Sequence, residues 1–503
     1  MALYLKAKKI DLGAGDEINI VLHEADMNKI GINEGDVVAF RWKDNEMYVE
    51  ANSTSTEVLP GEVGVFEEIW EQYQIVANDY VSVDLTVRPE SMEFIKKKIL
   101  GHKLSEQELK AIMQEIGQRK LTEVDVAFFR ATFFNPGFDE DETLWMTKGM
   151  AESGTILSFK DIKDNGSIVV DKHSIGGVAG KAVTPIVVPI LASCGLVVPN
   201  TSTRAITTPA GTSDILETVM PVHLTSQQIM DTVKKTGACM VWGGALDLAP
   251  ADDVIIHAER GIHLESFQKV LVSIVAKKIA MGISHIVIDI PHGKGTKVQN
   301  NEDAQVLAEQ FVTLFKKVGI ICEVYSRVAK GPDGNGIGPN MEMRETLKIL
   351  EREEDRAQHL EDIATDMAGI VLEMSGKAKK GEGKGLAVMQ LNSGDALAKF
   401  WEIAKIQGAS QELKHSDIKI ANLTHEIKST KDGIIDMINN RELVKITRAL
   451  GNPAIKEAGL YMNKMQGETV KEGDVLMTLY ATSVERLEQA KKAIDFDSIY
   501  SFV

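Results

Sequence analysis

The chain has 503 residues, 44% of them hydrophobic and 26% charged, a composition typical of a globular protein long enough for about three domains. Its formal net charge of −17 argues against a nucleic-acid-binding or membrane-binding surface, because such a surface normally needs a basic patch. No signal-peptide pattern and no apolar run of the roughly 18 residues that span a membrane is present, so we expect a cytoplasmic protein.

The N-terminal part alternates short apolar runs with polar turns. Runs at 18–22, 37–40, 47–50 and 81–83 have the composition of short strands. They predict a β-barrel-like domain over residues 1–88. Because it contains no cluster of catalytic residue types, we expect this domain to serve structure or assembly.

Pro89 marks a change to helical periodicity. Ser105, followed by Glu106 and Glu108, has the pattern of a helix start, and helices are also predicted at 122–132 and 143–153. The acidic run 139–142 is expected to be a solvated first turn. These features predict a helical domain over residues 89–158, to which 245–282 return.

The most informative stretch lies between residues 168 and 212. A β-branched run at 168–170 leads into Lys172, His173 and Ser174, then into a glycine-bearing loop and a helix at 182–193. A strand, a polar glycine loop and a helix N-terminus together can bind an anion. However, GGVAG is neither a Walker A loop nor a GxGxxG fingerprint, so a tight turn with a structural histidine remains an alternative.

Further strands alternate with helices beyond this point. The run 285–290 ends in a basic glycine loop that contains Lys297, and 322–325 is followed by another glycine loop. This alternation predicts an α/β phosphate-binding domain over 159–420, with its loops at the carboxyl ends of the strands. The run 376–385 is expected to be a solvated linker, and 421–503 a C-terminal α+β domain with hammerhead-like strands.

Three motifs carry a resemblance to a known family. They are DKHSIGGV at 171–178, TRAITTPAGT at 203–212 and SIVAKK at 273–278. With these motifs the chain resembles, over nearly its whole length, the thymidine/pyrimidine-nucleoside phosphorylases in their long form, which includes the AMP phosphorylases. The resemblance implies an α/β multidomain fold, an active-site cleft between the helical and α/β domains, phosphate as co-substrate, no metal or other cofactor, and a homodimer or larger homo-oligomer.

The resemblance also implies roles for individual residues. Phosphate would be held by Lys172, Ser174, Thr203 and Thr212. The remaining substrate contacts would come from Gly177, Arg204, Ala205, Ile206, Thr207, Thr208, Ser273, Lys277 and Lys297. Ser273 and Lys277 are four residues apart on a predicted helix, so they share a face, which in the family contacts the base.

The proton donor is left open between two residues. His173 titrates near neutrality and can protonate a departing base. The AMP branch assigns this role to an Asp where the present chain has Glu265, which retains a carboxyl group on a longer side chain. Short-form enzymes place an Arg against the pyrimidine where this chain has Ala258, with Arg260 two residues on.

Two features give opposite indications of the substrate. Lys277 can only donate hydrogen bonds, which suits pyrimidine carbonyls, whereas the threonine-rich loop suits a 5′-phosphate. Thymidine phosphorolysis is therefore the main expectation and AMP phosphorolysis the alternative. Two other classes are an anthranilate phosphoribosyltransferase-like enzyme with Mg²⁺ near Asp252 and Asp253, and a non-enzymatic carrier or assembly protein.

Overall fold

The computed structural model of the protein describes residues 2–12, 19–43, 45–67, 69–70, 75–86, 89–162, 167–205, 208–246, 248–259 and 266–503. The chain forms two compact units. One consists of residues 1–156 and 247–280, and the other of residues 157–246 and 281–503.

The N-terminal strands close into a barrel. In chain order they are β1 (Leu3–Lys9), β2 (Asn19–His23), β3 (Val37–Trp42), β4 (Asn45–Thr54), β5 (Glu62–Val65) and β6 (Tyr80–Leu85), with the short helix α1 (Glu24–Ile30) after β2. The order around the barrel is β1-β5-β2-β4-β3-β6. Alternate side chains, such as Leu5 and Ala7 of β1, are buried inside it. The predicted barrel-like domain is confirmed.

A helical bundle completes the first unit. Its helices are α2 (Ser91–Ile99), α3 (Glu106–Gly117), α4 (Glu123–Ala131) and α5 (Glu140–Glu152). It also contains α9 (Pro250–Glu259) and α10 (Phe267–Ala280), which come from a later part of the sequence. Ser105, Thr122 and Asp139 each accept a hydrogen bond from the third residue of the following helix, which fixes where α3, α4 and α5 begin.

The acidic run at the start of α5 is not entirely solvated, contrary to the expectation. Glu142 is only 2% exposed and lies 2.8 Å from the Lys98 ammonium, and it also accepts a hydrogen bond from the backbone of Leu104. The prediction failed because the cation comes from α2, which lies far earlier in the chain. Glu142 is therefore part of a buried ion pair.

The second unit is built on parallel strands. They are β7 (Val170–Ser174), β8 (Val198–Ser202), β9 (Ala238–Trp242), β10 (His285–His292) and β11 (Ile321–Val328). Strands β11, β10 and β7 form one sheet and β8 and β9 another, and a parallel bridge between Val169 and Val197 joins the two. All five carboxyl ends therefore lie at one edge, as parallel pairing requires.

Helices flank this sheet and bury its apolar faces. They are α6 (Thr184–Ser193), α7 (Thr212–Leu216), α8 (Ser226–Thr236), α11 (Asn301–Lys317), α12 (Pro339–Glu351), α13 (Gln358–Met374), α14 (Gly383–Asn392) and α15 (Asp395–Gln407). Val187, Leu347 and Phe400, from three of these helices, are fully buried in one apolar core. The run 376–385 is not a linker as expected: it is a turn into α14, where a Cβ on Gly383 would lie 2.2 Å from the carbonyl oxygen of Gly369. Close helix packing therefore explains the glycine at 383.

The C-terminal part contains two small antiparallel sheets. Their strands are β12 (Gly336–Ile337), β13 (Leu423–Lys428), β14 (Gly433–Ile438), β15 (Gly459–Met462), β16 (Thr469–Val470), β17 (Val475–Ala481) and β18 (Tyr500–Phe502). Helices α16 (Asn440–Leu450), α17 (Val484–Lys492) and α18 (Phe496–Ile499) accompany them. Strand β12 pairs with β15, so a segment that precedes α12 belongs to the C-terminal sheet.

Two expectations about the chain as a whole concern membranes and cysteines. Within the described ranges, no helix is both long and apolar enough to cross a membrane. The three cysteines are free thiols, but only Cys239 is buried, while Cys194 and Cys322 are partly exposed. The apolar sequence around Cys194, Cys239 and Cys322 predicts three buried thiols, which is wrong for two of them.

Candidate active site

Strand β7 carries the first predicted motif into the carboxyl edge of the sheet. Asp171 and Lys172 are buried, at 0% and 6% exposure, and His173 and Ser174 are partly buried. The Asp171 carboxylate accepts hydrogen bonds from the Asn200 side chain of β8 and from the backbone N–H of Lys172. The bond from Asn200 fixes β7 against β8 next to the residues predicted to bind phosphate.

Ser174 is part of a buried network of charges at this edge. Its hydroxyl donates to a carboxylate oxygen of Asp289 on β10, at 2.7 Å, and the Lys181 ammonium contacts both groups. Arg327 on β11 bonds to Asp289 at 3.2 Å and pairs with both carboxylate oxygens of Asp333, at 2.8 and 2.6 Å. We call these five residues the sheet-edge cluster.

The sheet-edge cluster is electrically balanced and tightly held. Its two carboxylates are fully buried, and its two cations are about one-tenth exposed. Burial raises the pKa of Asp289, but Lys181 and Arg327 outweigh that effect and bring the pKa down to about 2. Asp289 is therefore ionised at neutral pH and accepts the only proton that the Ser174 hydroxyl can donate.

Sequence reasoning missed Lys181, Asp289, Arg327 and Asp333. Lys181 follows Gly180 in the predicted loop, which is a weak signal. The other three lie more than 100 residues further along the chain, where no local spacing relates them to Ser174. Only the pairing of β7 with β10 and of β10 with β11 brings them together.

Two glycine-bearing loops meet at the same edge. Gly177 has a φ of +87°, and a Cβ there would lie 2.6 Å from the backbone nitrogen of Lys297 in the loop after β10. Any larger residue would push the loops apart. The structure thus brings together Gly177 and Lys297, which the sequence predicted as substrate contacts.

The threonine-rich loop after β8 folds back on itself. One carboxylate oxygen of Asp214 accepts the backbone N–H groups of Ala205 and Gly211, both at 2.8 Å. A Cβ on Gly211 would lie 2.4 Å from the carbonyl oxygen of Thr203, and that oxygen accepts a hydrogen bond from the backbone of Ser213. Thr203 and Thr212 therefore stand side by side at the two ends of this loop.

The side chains of this loop have specific partners. Arg204 pairs with Asp214 and Glu217 and lies over the Trp242 ring, so its charge is already neutralised. The Thr208 hydroxyl donates to the carbonyl of Ala210. Ile206 and Thr207, also predicted as substrate contacts, lie outside the described residues.

Ser273 and Lys277 share one face of α10, as their spacing predicted. The Ser273 hydroxyl donates to Asp252 at 2.5 Å, and Lys277 lies 2.8 Å from Asp252 and 3.2 Å from Asp253. Lys269 approaches Asp252 to 3.3 Å. We call these five residues, all in the first unit, the helix cluster.

The pKa values of the two acids of the helix cluster are shifted in opposite directions. Asp252 is fully buried, and although burial raises its pKa, Lys269 and Lys277 bring it well below the usual range. The pKa of Asp253 is raised, because burial and the neighbouring Asp252 outweigh the attraction of Lys277. Both acids are engaged by lysines, which argues against the alternative in which they hold Mg²⁺.

Of the two rival proton donors, the structure describes one. His173 lies on β7 in register with Ile288 of β10. Glu265 lies outside the described residues, as does Arg260, which sequence reasoning had compared with a pyrimidine-binding Arg. The assignment of the acid therefore stays a prediction.

Family models match three successive parts of the chain. They are the helical bundle domain of a glycosyl transferase family over residues 92–154, the a/b domain of that family over residues 166–397, and a pyrimidine nucleoside phosphorylase C-terminal domain over residues 434–500. Together with the glycine-bearing loops at the sheet edge, these matches define a glycosyl transferase of the nucleoside phosphorylase class.

Full-length relatives narrow this class. The chain is 38% identical to the AMP phosphorylases of Methanococcus vannielii and Methanocaldococcus jannaschii, over 97% of its length and 95% and 96% of theirs. It is also 38% identical to that of Thermococcus sibiricus, over 96% of this chain and 95% of the relative. The chain belongs to the pyrimidine-nucleoside phosphorylase family, in the long form that includes the AMP phosphorylases. This confirms the resemblance inferred from the motifs.

Among solved structures, the chain is similar to the anthranilate phosphoribosyltransferase of Thermus thermophilus. The TM-score is 0.49 and the sequence identity 18%, over 63% of this chain and 99% of the other. A likeness of this strength has no bearing on function.

Proposed function

We propose that the protein is an AMP phosphorylase, which converts AMP and phosphate into adenine and ribose 1,5-bisphosphate. This replaces thymidine as the main expectation. The full-length relatives named AMP phosphorylase support the choice, as does the composition of the threonine-rich loop, which suits a 5′-phosphate.

The observation that carries the choice of base is the pairing of Lys277 with two carboxylates. Thymidine was favoured because a lone lysine can only donate hydrogen bonds, which suits carbonyl oxygens. In the helix cluster, Lys277 is paired with Asp252 and Asp253, and the side chain of Asp253 is one-third exposed. This face therefore offers acceptors as well as donors, and an exocyclic amine such as that of adenine requires an acceptor.

The reaction assigns a task to each group. An oxygen of inorganic phosphate forms a bond to C1′ of the ribose, the N-glycosidic bond breaks, and its electron pair leaves with adenine. Lys172, Thr203 and Thr212 would hold the attacking phosphate, with Lys172 supplying positive charge, and Ser174 would join them by turning its hydroxyl proton from Asp289 to a phosphate oxygen. His173 or Glu265 would donate the proton that neutralises the departing base. Lys297 and the loop 204–208 would hold the 5′-phosphate.

The test is a panel of substrates. AMP, adenosine, CMP, thymidine and uridine are incubated with and without inorganic phosphate, in the presence of EDTA, and free base is measured by chromatography. We expect adenine from AMP only when phosphate is present, with ribose 1,5-bisphosphate detected by ³¹P NMR. Adenosine should react at least about a hundredfold more slowly, because it lacks the charged group that the loop binds.

A matched variant ties the activity to the site. The Lys172→Ala protein should lose about 10²-fold or more in kcat, as is usual when a charge-stabilising donor is removed from an active site. Thymine release without adenine release would return thymidine to first place. A requirement for Mg²⁺ would favour the phosphoribosyltransferase alternative.

A further inference from the structure

A polar cavity lies between helix α12 and the C-terminal sheet. Its volume is about 240 Å³. None of its lining residues belongs to the candidate active site. The polar side chains that line it are Arg344, Glu345, Lys348, Asp355, Tyr461 and Tyr480.

Arg344 is the unusual member of this wall. It is partly buried on α12, and among the residues that the structure describes it makes no hydrogen bond and no ion pair. A guanidinium offers five N–H donors in a planar fork that fits the oxygens of a carboxylate or a phosphate. A cation that is partly desolvated without a counter-ion is unfavourable, and an anion in the cavity would remove that cost.

Glu345 presents a second unsatisfied group to the same cavity. It is 2% exposed, and one of its carboxylate oxygens has no hydrogen-bond partner, while the other lies 3.7 Å from the Lys348 ammonium. Lys348 is held more closely by Asp355, at 2.7 Å. Burial, aided by Asp355 and opposed by Lys348 and Arg344, raises the pKa of Glu345 to about 7.

The remaining polar groups of the wall include hydrogen-bond donors. Burial and the nearby acids raise the pKa of Tyr461, so its hydroxyl keeps its proton at any physiological pH. Tyr480 lines the cavity as well. A cavity of this volume lies below the range of about 300–1,000 Å³ that holds drug-sized ligands, so its ligand is small.

We propose that this cavity is a binding site for a small oxyanion, a phosphate or a carboxylate, held by the Arg344 guanidinium with the Glu345 carboxyl group and the tyrosine hydroxyls as further donors. The site is separate from the one that binds the co-substrate phosphate. The proposal depends on an unpaired cation, an orphaned buried oxygen and a cavity that both line, and not on the identity of the reaction.

The test is isothermal titration calorimetry on the full-length protein with inorganic phosphate and malonate in separate arms, at matched ionic strength. The Lys172→Ala background removes phosphate binding at the active site. Arg344→Gln should weaken binding of the preferred anion about tenfold or more, which is the usual scale of a lost charge-assisted contact. Arg486→Gln, which changes an exposed arginine on α17, is the matched control and should bind as the background protein does.

A pH series tests the role assigned to Glu345. The charged and titratable groups around it are Arg344, Lys348, Asp355, Tyr461 and Tyr480. Because the neutral carboxyl group donates to an anion and the ionised form repels it, affinity should fall between pH 6 and pH 8. Glu345→Gln, which stays neutral, should flatten that dependence.

Two results would overturn the proposal. One is the absence of binding by either anion in the Lys172→Ala protein, and the other is unchanged affinity in Arg344→Gln. Because Arg344 has no partner to lose, Arg344→Gln should keep the melting temperature of its parent, so a weaker titration reports binding and not misfolding.

Discussion

The sheet-edge cluster and the helix cluster have the same composition of charges but differ in the exposure and the pKa shifts of their acids. In each, a serine hydroxyl predicted to contact substrate donates its proton to a buried aspartate, and two cations balance two carboxylates. In the sheet-edge cluster every charged group is at most 10% exposed, and Asp289 stays ionised far below neutral pH. In the helix cluster Asp253 is 33% exposed and its pKa is raised. The sheet-edge cluster is suited to hold the Ser174 hydroxyl in one orientation. The helix cluster is suited to change the protonation of Asp253 when a ligand binds.

The largest effect is expected when the sheet-edge cluster loses its central carboxylate. Asp289→Asn leaves Lys181 without its counter-ion and Arg327 with only Asp333, and should destabilise the second unit by about 3–5 kcal/mol. Hydrogen–deuterium exchange of the β10 peptide measures this locally. The control is Asp436→Asn, which breaks an exposed pair with Lys330 and should cost about 1 kcal/mol or less. If the β10 peptide were equally protected from exchange in Asp289→Asn and Asp436→Asn, the sheet-edge cluster would contribute nothing to stability.

A smaller and more selective effect is expected in the helix cluster. Asp252→Asn removes the partner of Lys269, Lys277 and Ser273 and should cost about 3 kcal/mol in the first unit, measured by exchange of the α10 peptide. Asp253→Asn should cost about 1 kcal/mol or less, because burial already favours the neutral form of that acid. If Asp252→Asn and Asp253→Asn reduced the protection of the α10 peptide from exchange equally, the proposed difference between these two acids would be wrong.

The contrast also explains what the sequence could predict. Ser273 and Lys277 are four residues apart on one helix, so their shared face follows from helical geometry alone. Asp252 and Asp253, the partners of that face, stand out in sequence only as acids in the first turn of a helix. Arg327 and Asp333 become neighbours of Ser174 only through strand pairing, which no local spacing encodes.

In the fold, too, features that depend on neighbouring residues were predicted, and features that depend on contacts between distant residues were not. The start of α3 at Ser105 was predicted correctly because it depends on residues within one turn. Glu142 was misjudged because its partner Lys98 lies on another helix, and the turn before α14 was misjudged because Gly383 packs against Gly369. In both cases a tertiary contact changed what the composition indicated.

The two serines should separate the two substrates kinetically. Ser174→Ala should raise the KM for phosphate about tenfold while changing that for AMP little, since one hydrogen bond to a charged group is worth about 1.5 kcal/mol or more. Ser273→Ala should do the reverse. Steady-state kinetics with each substrate varied in turn provide the measurement. A rise in the KM for AMP in Ser174→Ala, with the phosphate value unchanged, would contradict the division of roles.

The smallest effect is expected at a pair that is neither buried nor fully exposed. Glu217 accepts a hydrogen bond from Arg204, and this bond, with help from Lys456 and against burial, lowers the pKa of Glu217 from 4.5 to about 2. A lowered carboxyl pKa stabilises the folded protein fully above the unfolded value near 4.5, and that contribution is lost as the pH falls toward 2. Glu217→Gln should therefore cost about 1 kcal/mol at pH 7. The gap in melting temperature between wild type and variant should stay constant from pH 7 to about 5 and narrow below that.

Glu457→Gln, which changes an exposed acid beside Lys456, should show no gap at any pH. A Glu217→Gln gap that did not narrow in acid would mean that side-chain packing, and not the ionised carboxylate, stabilises this end of the loop.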